Sequence, residues 1–67
     1  MSVAKIVEVT AQSPESFEHA IRHGLERTSK TVQKIEGAWI KDQKVVVENG
    51  RVTGFQVSMK VTFVLDE

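Results

Sequence analysis

The chain predicts an α+β fold, a β-α-β-β order in which a three-stranded antiparallel-type sheet carries one helix on one face. Three observations carry that prediction. The first is Asn49-Gly50 between two long β-forming runs. A type I′ hairpin turn needs positive φ at both central positions, and these two residues tolerate it best. The second is a breaker-free run rich in β-branched residues, Val3 to Thr10. The third is an apolar stripe at helical spacing after Ser13-Pro14-Glu15.

The first strand is expected over Val3 to Thr10, with Ala11-Gln12 as the connection. Ser13 is the expected cap, Pro14 is preorganised for the first helical position, and Glu15 suits the positive end of the dipole. A full Ser-x-x-Glu capping box is missing, because the third residue on is Ser16. The helix is expected to run to about Lys34. Phe17, Ala20, Ile21, Gly24, Leu25, Thr28, Val32 and Ile35 make its apolar face, and Glu18–Arg22 and Glu26–Lys30 are favourably oriented i,i+4 pairs. Gly24 costs about 1 kcal/mol against alanine in a helix interior, which close packing on the sheet would explain.

Counting outward from a I′ turn fixes the expected hairpin register. Glu48 faces Arg51, Val46 faces Thr53, Gln43 faces Gln56, Lys41 faces Ser58, Trp39 faces Lys60 and Gly37 faces Thr62. Alternation then sorts Phe55, Val57, Met59, Val61, Phe63 and Leu65, with Ala38 and Ile40, onto the helix side. Gln56, Ser58, Lys60 and Thr62, with Gly37, Trp39, Lys41 and Gln43, fall on the other side. That register puts Asp42 on the helix side, and the mixed pattern from Asp42 to Val47 leaves room for a bulge. A right-handed crossover makes the first two strands parallel, with the third between them. The second sheet face then has no cover from its own chain, and the only tryptophan lies on it.

At 67 residues the chain is one small domain, residues 1–67. Chains this short bury only about 60% of their unfolded surface. There is no cysteine, hence neither disulfide nor thiolate metal site. Association of sister copies is the remaining common remedy, and the bare face offers the surface. Nine basic residues balance nine acidic ones, which argues against a nucleic-acid partner. No run approaches the roughly 20 apolar residues of a membrane span, and no signal peptide is read. The expected setting is cytoplasmic.

Order, length and local strings together resemble the dodecins. The strings are Thr10 to Phe17 (TAQSPESF), Thr31 to Ile35, Asp42-Gln43, Phe55 to Phe63 (FQVSMKVTF) and Leu65-Asp66-Glu67. The resemblance implies a non-enzymatic binding and storage shell, a hollow homododecamer whose family ligand is flavin, FMN or riboflavin. It also implies site residues. Gln56 matches the glutamine that hydrogen-bonds the flavin ring edge. The stacking tryptophan of flavin-binding members aligns with Gly37, two residues before Trp39. Arginines that hold the flavin phosphate in many members align near Lys44 and Val64. Lysine meets a phosphate only as a point charge. The flavin site is therefore expected to be weakened or altered, with Gly37, Trp39, Lys44 and Gln56 as its residues. The alternative is a flavin-free shell that binds calcium or magnesium through Asp42, or that serves as a structural assembly.

Trp39 is read either as a displaced stacking platform or as a residue that fills a subunit interface over the stem of Lys60. Gly37 is either space for a ligand or a bulge at the strand start. His19 and His23 share one helical face, a metal-capable spacing, although two solvated histidines are the plainer reading. No nucleophile–base constellation or phosphate-cradling loop is present, so no catalysis is expected.

Overall fold

The computed structural model describes residues 2–65. Strand β1 spans Val3–Ser13, helix α1 Phe17–Thr28, strand β2 Ile35–Glu48 and strand β3 Arg51–Leu65. The sheet order is β1-β3-β2, and β3 is antiparallel to both neighbours. The first and second strands thus run parallel on either side of the third, as expected.

The core lies between the helix and one sheet face. Val57, Met59 and Val61 of β3 and Ala20 of α1 are fully buried. Val7, Val9, Ala11, Phe17, Ile21 and Leu25 pack around them, and Ala38 and Ile40 of β2 join from the far side. Gly24 explains how the helix comes so close. A Cβ there would lie 2.8 Å from the Ala11 Cβ and 3.0 Å from the Met59 Cε. Phe17 closes the other end of the layer edge-on against Phe55, with ring centroids 5.1 Å apart.

Three boundaries differ from expectation. Strand β1 continues to Ser13, because Ala11, Gln12 and Ser13 find partners in Val57, Gln56 and Phe55 of the long third strand. Pro14 favours an extended conformation in the residue before it, which holds Ser13 in the strand. The helix therefore starts later, at Phe17, with Ser16 as the cap. The Ser16 hydroxyl oxygen accepts from the His19 N–H at 2.9 Å. Ser13 instead holds the corner: its Oγ accepts from the Glu15 N–H at 3.0 Å and bonds the His19 Nδ1 at 2.7 Å.

The helix also stops short of Lys34, at Thr28. Hydroxyl side chains there offer the backbone other partners. Thr28 donates to the Gly24 carbonyl, Ser29 to Glu26 and Thr31 to Thr28. Lys34 takes φ 62, the left-handed region, and turns the chain into β2. Its carbonyl accepts from the Val64 N–H at 3.1 Å, which ties the turn to β3. Glu18 and Arg22 pair at 3.4 Å, whereas Lys30, expected to pair with Glu26, lies past the last helical residue.

The hairpin turn is as expected, with Asn49 at φ 53 and Gly50 at φ 76. The register agrees at both ends, with Glu48 opposite Arg51, Trp39 opposite Lys60 and Gly37 opposite Thr62. Between them it is displaced by one residue. Val46 faces Gly54 rather than Thr53, Lys44 rather than Gln43 faces Gln56, and Asp42 rather than Lys41 faces Ser58. Irregularities between Val46 and Val47 and between Ile40 and Asp42 open and close the displacement, and a further one separates Ile35 from Gly37. The bulge reading of the strand start before Gly37 thus holds.

Candidate functional site

The sheet face away from the helix carries the candidate site. Directly opposed residues of antiparallel strands share a face, so the register sorts it into rows. One row is Ile6–Thr62–Gly37, and the next is Glu8–Lys60–Trp39. Then come Thr10–Ser58–Asp42 and Gln12–Gln56–Lys44. Val64, aligned with a phosphate-holding arginine by resemblance, stands opposite Ala4 on the same face.

The bulge at Lys41 corrects the placement of Asp42. Ile40 pairs with Met59 and belongs to the core side, while Asp42 pairs with Ser58. Lys41 between them has no opposite residue, so Lys41 and Asp42 both present to the open face. Lys44 follows them, and Gln43 moves to the helix side opposite Val57. The signal for this in the sequence was the run Lys41-Asp42-Gln43-Lys44, four polar residues where alternation calls for two.

Trp39 projects from the edge strand with 71% of its surface exposed. The Lys60 ammonium lies 5.7 Å from its ring centroid, within cation–π range. Lys41 completes an open pocket of about 90 Å³ with these two residues. Its Nζ reaches across the sheet to the Glu8 carboxylate at 3.3 Å. The expected register already put Lys41 on this face; Glu8 is the member of the cluster that sequence reasoning missed, because its place depends on the β1–β3 register, which sets it opposite Lys60. Farther along, Gln56 and Lys44 are direct cross-strand neighbours. Lys60 lies four residue steps beyond Gln56 along β3, about 13 Å of strand. Gly37, Trp39, Lys44 and Gln56 therefore share one face, but Trp39 and Gln56 do not converge within one chain. Around Gly37 there is open space, with nothing within 4 Å of where a Cβ would stand.

His19 and His23 stack in parallel on the helix, 6.0 Å apart, and the His19 Nε2 lies 3.4 Å from the Glu15 carboxylate. No group of three or more His, Cys, Asp or Glu side chains with metal-holding geometry occurs among the described residues. No helix there is long and apolar enough to cross a membrane.

A helix over one face of a long-stranded three-stranded sheet, with polar and aromatic side chains bare on the other, describes a subunit built to be layered. The dodecin family profile matches residues 3–66, and the chain belongs to that family. It is similar to the calcium dodecin of Mycobacterium tuberculosis, 27% identical over 63 residues that cover 94% of this chain and 89% of that one. Among solved structures, the dodecin of Streptomyces davaonensis superposes with a TM-score of 0.94 at 30% identity, covering 98% of this chain and 97% of that one. A Thermus thermophilus dodecin variant gives 0.93 at 31% identity, covering both chains completely.

Proposed function

We propose that the protein is a non-enzymatic dodecin shell of twelve identical chains that binds and stores a small planar ligand on the open sheet face. The ligand class is flavin, FMN or riboflavin, held in an altered site because Gly37 stands where flavin-binding members carry tryptophan. The observation that carries this reading is the exposed indole of Trp39 beside the polar rows Thr10–Ser58–Asp42 and Gln12–Gln56–Lys44 of the open face. A large aromatic ring left bare beside two ammonium groups favours stacking with a planar partner. Gln56 supplies a hydrogen-bonding amide and Lys44, directly across from it, a point charge for a phosphate. Because Trp39 and Gln56 stand apart in one chain, sister copies complete the site. The balanced charge of the chain speaks against a nucleic-acid partner, and the proposed setting is the cytoplasm. Titrating the assembled protein into FMN and into riboflavin tests the ligand: flavin fluorescence should be quenched at micromolar protein. Unquenched emission at tens of micromolar would remove flavin. Light scattering tests the shell, whose mass should be twelve times that of one chain; a monomer or dimer would contradict it.

A second reading, a flavin-free shell that binds calcium or magnesium, is favoured by the row Thr10–Ser58–Asp42. It presents two hydroxyls and a carboxylate, the oxygen ligands that hard divalent cations take. A relative named calcium dodecin adds to it.

A further inference from the structure

The row containing Trp39 has an arrangement of charge that the Gln56–Lys44 row does not share. On the register alone, Lys60 has Glu8 on one side and Trp39 on the other. A lysine flanked by a cross-strand glutamate is ordinarily neutralised by it. Here the Glu8 carboxylate is engaged instead by Lys41, at 3.3 Å, from the bulge on the far strand. Lys60 turns toward the indole and rests 5.7 Å from its centroid. Two ammonium groups thus line a pocket beside a ring that is 71% exposed. The one carboxylate paired with them, Glu8, is bound to Lys41 outside that lining, which leaves an excess of one positive charge at the mouth of the pocket.

We infer that Trp39, Lys60 and Lys41 form a subsite for a planar aromatic anion, a ring bearing a phosphate or carboxylate, separate from the Gln56–Lys44 row. The ring stacks on the indole, and the anionic group meets the Lys60 ammonium. Within one chain the pocket is about 90 Å³ and open, so the ligand ring lies across its mouth, on the side that a sister copy would cover. The excess charge makes the subsite selective: a neutral ring gains the stacking contact alone, and a free inorganic anion gains the charge alone. Glu8 acts as a regulator of this selectivity. With Lys41 removed, Glu8 is released to its direct neighbour Lys60 and cancels the excess.

The inference rests on the reading of the open face as the ligand face, and its test is separable from the flavin test. Naphthyl phosphate, naphthol and inorganic phosphate are titrated into the assembled full-length protein by calorimetry. The emission of Trp39, the sole tryptophan, reports where each binds. Naphthyl phosphate is expected to bind more tightly than either other probe and to perturb the indole emission, with an affinity that weakens as salt rises. Lys60→Met should weaken it by about fivefold and Lys41→Met by a similar factor, while Glu8→Gln should tighten it about two- to threefold, the scale of exposed charge pairs. All three side chains are solvent-exposed or half-buried, so the variants retain the fold. Equal affinity for naphthol and naphthyl phosphate, or variants that leave the affinity unchanged, would overturn the inference. Naphthyl phosphate binding without any flavin quenching sinks the flavin reading alone. Riboflavin binding that depends on Gln56, with naphthyl phosphate silent, sinks the subsite alone.

Discussion

Asp42 stands directly opposite Ser58 on the open face of the sheet, carried there by the unpaired Lys41 one position earlier. With Thr10 on the other side of Ser58, the carboxylate belongs to a row of oxygen-bearing side chains. Its neighbour in sequence, Gln43, is turned to the opposite face. Asp42→Ala should therefore remove any binding event seen by calorimetry with calcium or magnesium, whereas Gln43→Ala should leave it intact. Identical isotherms for wild type and Asp42→Ala would take Asp42 out of the cation reading.

Gly37 has open space where a side chain would go, and it shares a face with Trp39. Gly37→Trp is expected to fold normally and to tighten FMN binding by about tenfold, the scale of a stacked aromatic contact. The readout is flavin fluorescence. An unchanged titration would mean that the flavin site lies elsewhere.

Helix propensity alone predicts that Gly24→Ala stabilises the protein by about 1 kcal/mol. The contact with the Ala11 Cβ predicts the reverse, because that atom is fixed to a strand backbone and cannot yield. A net loss of about 1–3 kcal/mol is expected from overpacking, read as a lowered Tm. The pair Gly24→Ala with Ala11→Gly should recover part of that loss. A Tm at or above wild type in the single variant would refute the close approach.

The two serines at the strand–helix corner should separate by mechanism. Ser13 is buried and holds both the Glu15 N–H and the His19 ring. Ser13→Ala leaves those groups without their partner, a cost of about 1–3 kcal/mol. Ser16→Ala removes an exposed cap bond, about 0.5–2 kcal/mol. Chemical denaturation of both variants checks the order, and a harmless Ser13→Ala would contradict the role of its hydroxyl.

The exposed pair Glu8–Lys41 is expected to add little to stability. Glu8→Gln should shift the unfolding free energy by no more than about 1 kcal/mol, the upper end for such pairs. A larger loss in denaturation would mean that the pair holds the Lys41 bulge in place.

The element order, the I′ turn, the core residues Val57, Met59 and Val61, and the exposure of Trp39 were all legible in the chain. Each depends on a local rule: positive φ at Asn49 and Gly50, period-two alternation in β3, helical spacing from Phe17 to Leu25. The middle of the hairpin was not legible. Alternation fixes which residues oppose one another only while every residue has a partner, and one unpaired residue inverts every face beyond it. Lys41 is that residue on β2, and Ile40 anchored in the core beneath the helix determines where the inversion falls. The sequence by itself therefore determined that one sheet face would be bare and polar. Tertiary packing alone decided that Asp42 and Lys44, rather than Gln43, would stand on it, and that Lys41 would draw Glu8 away from Lys60.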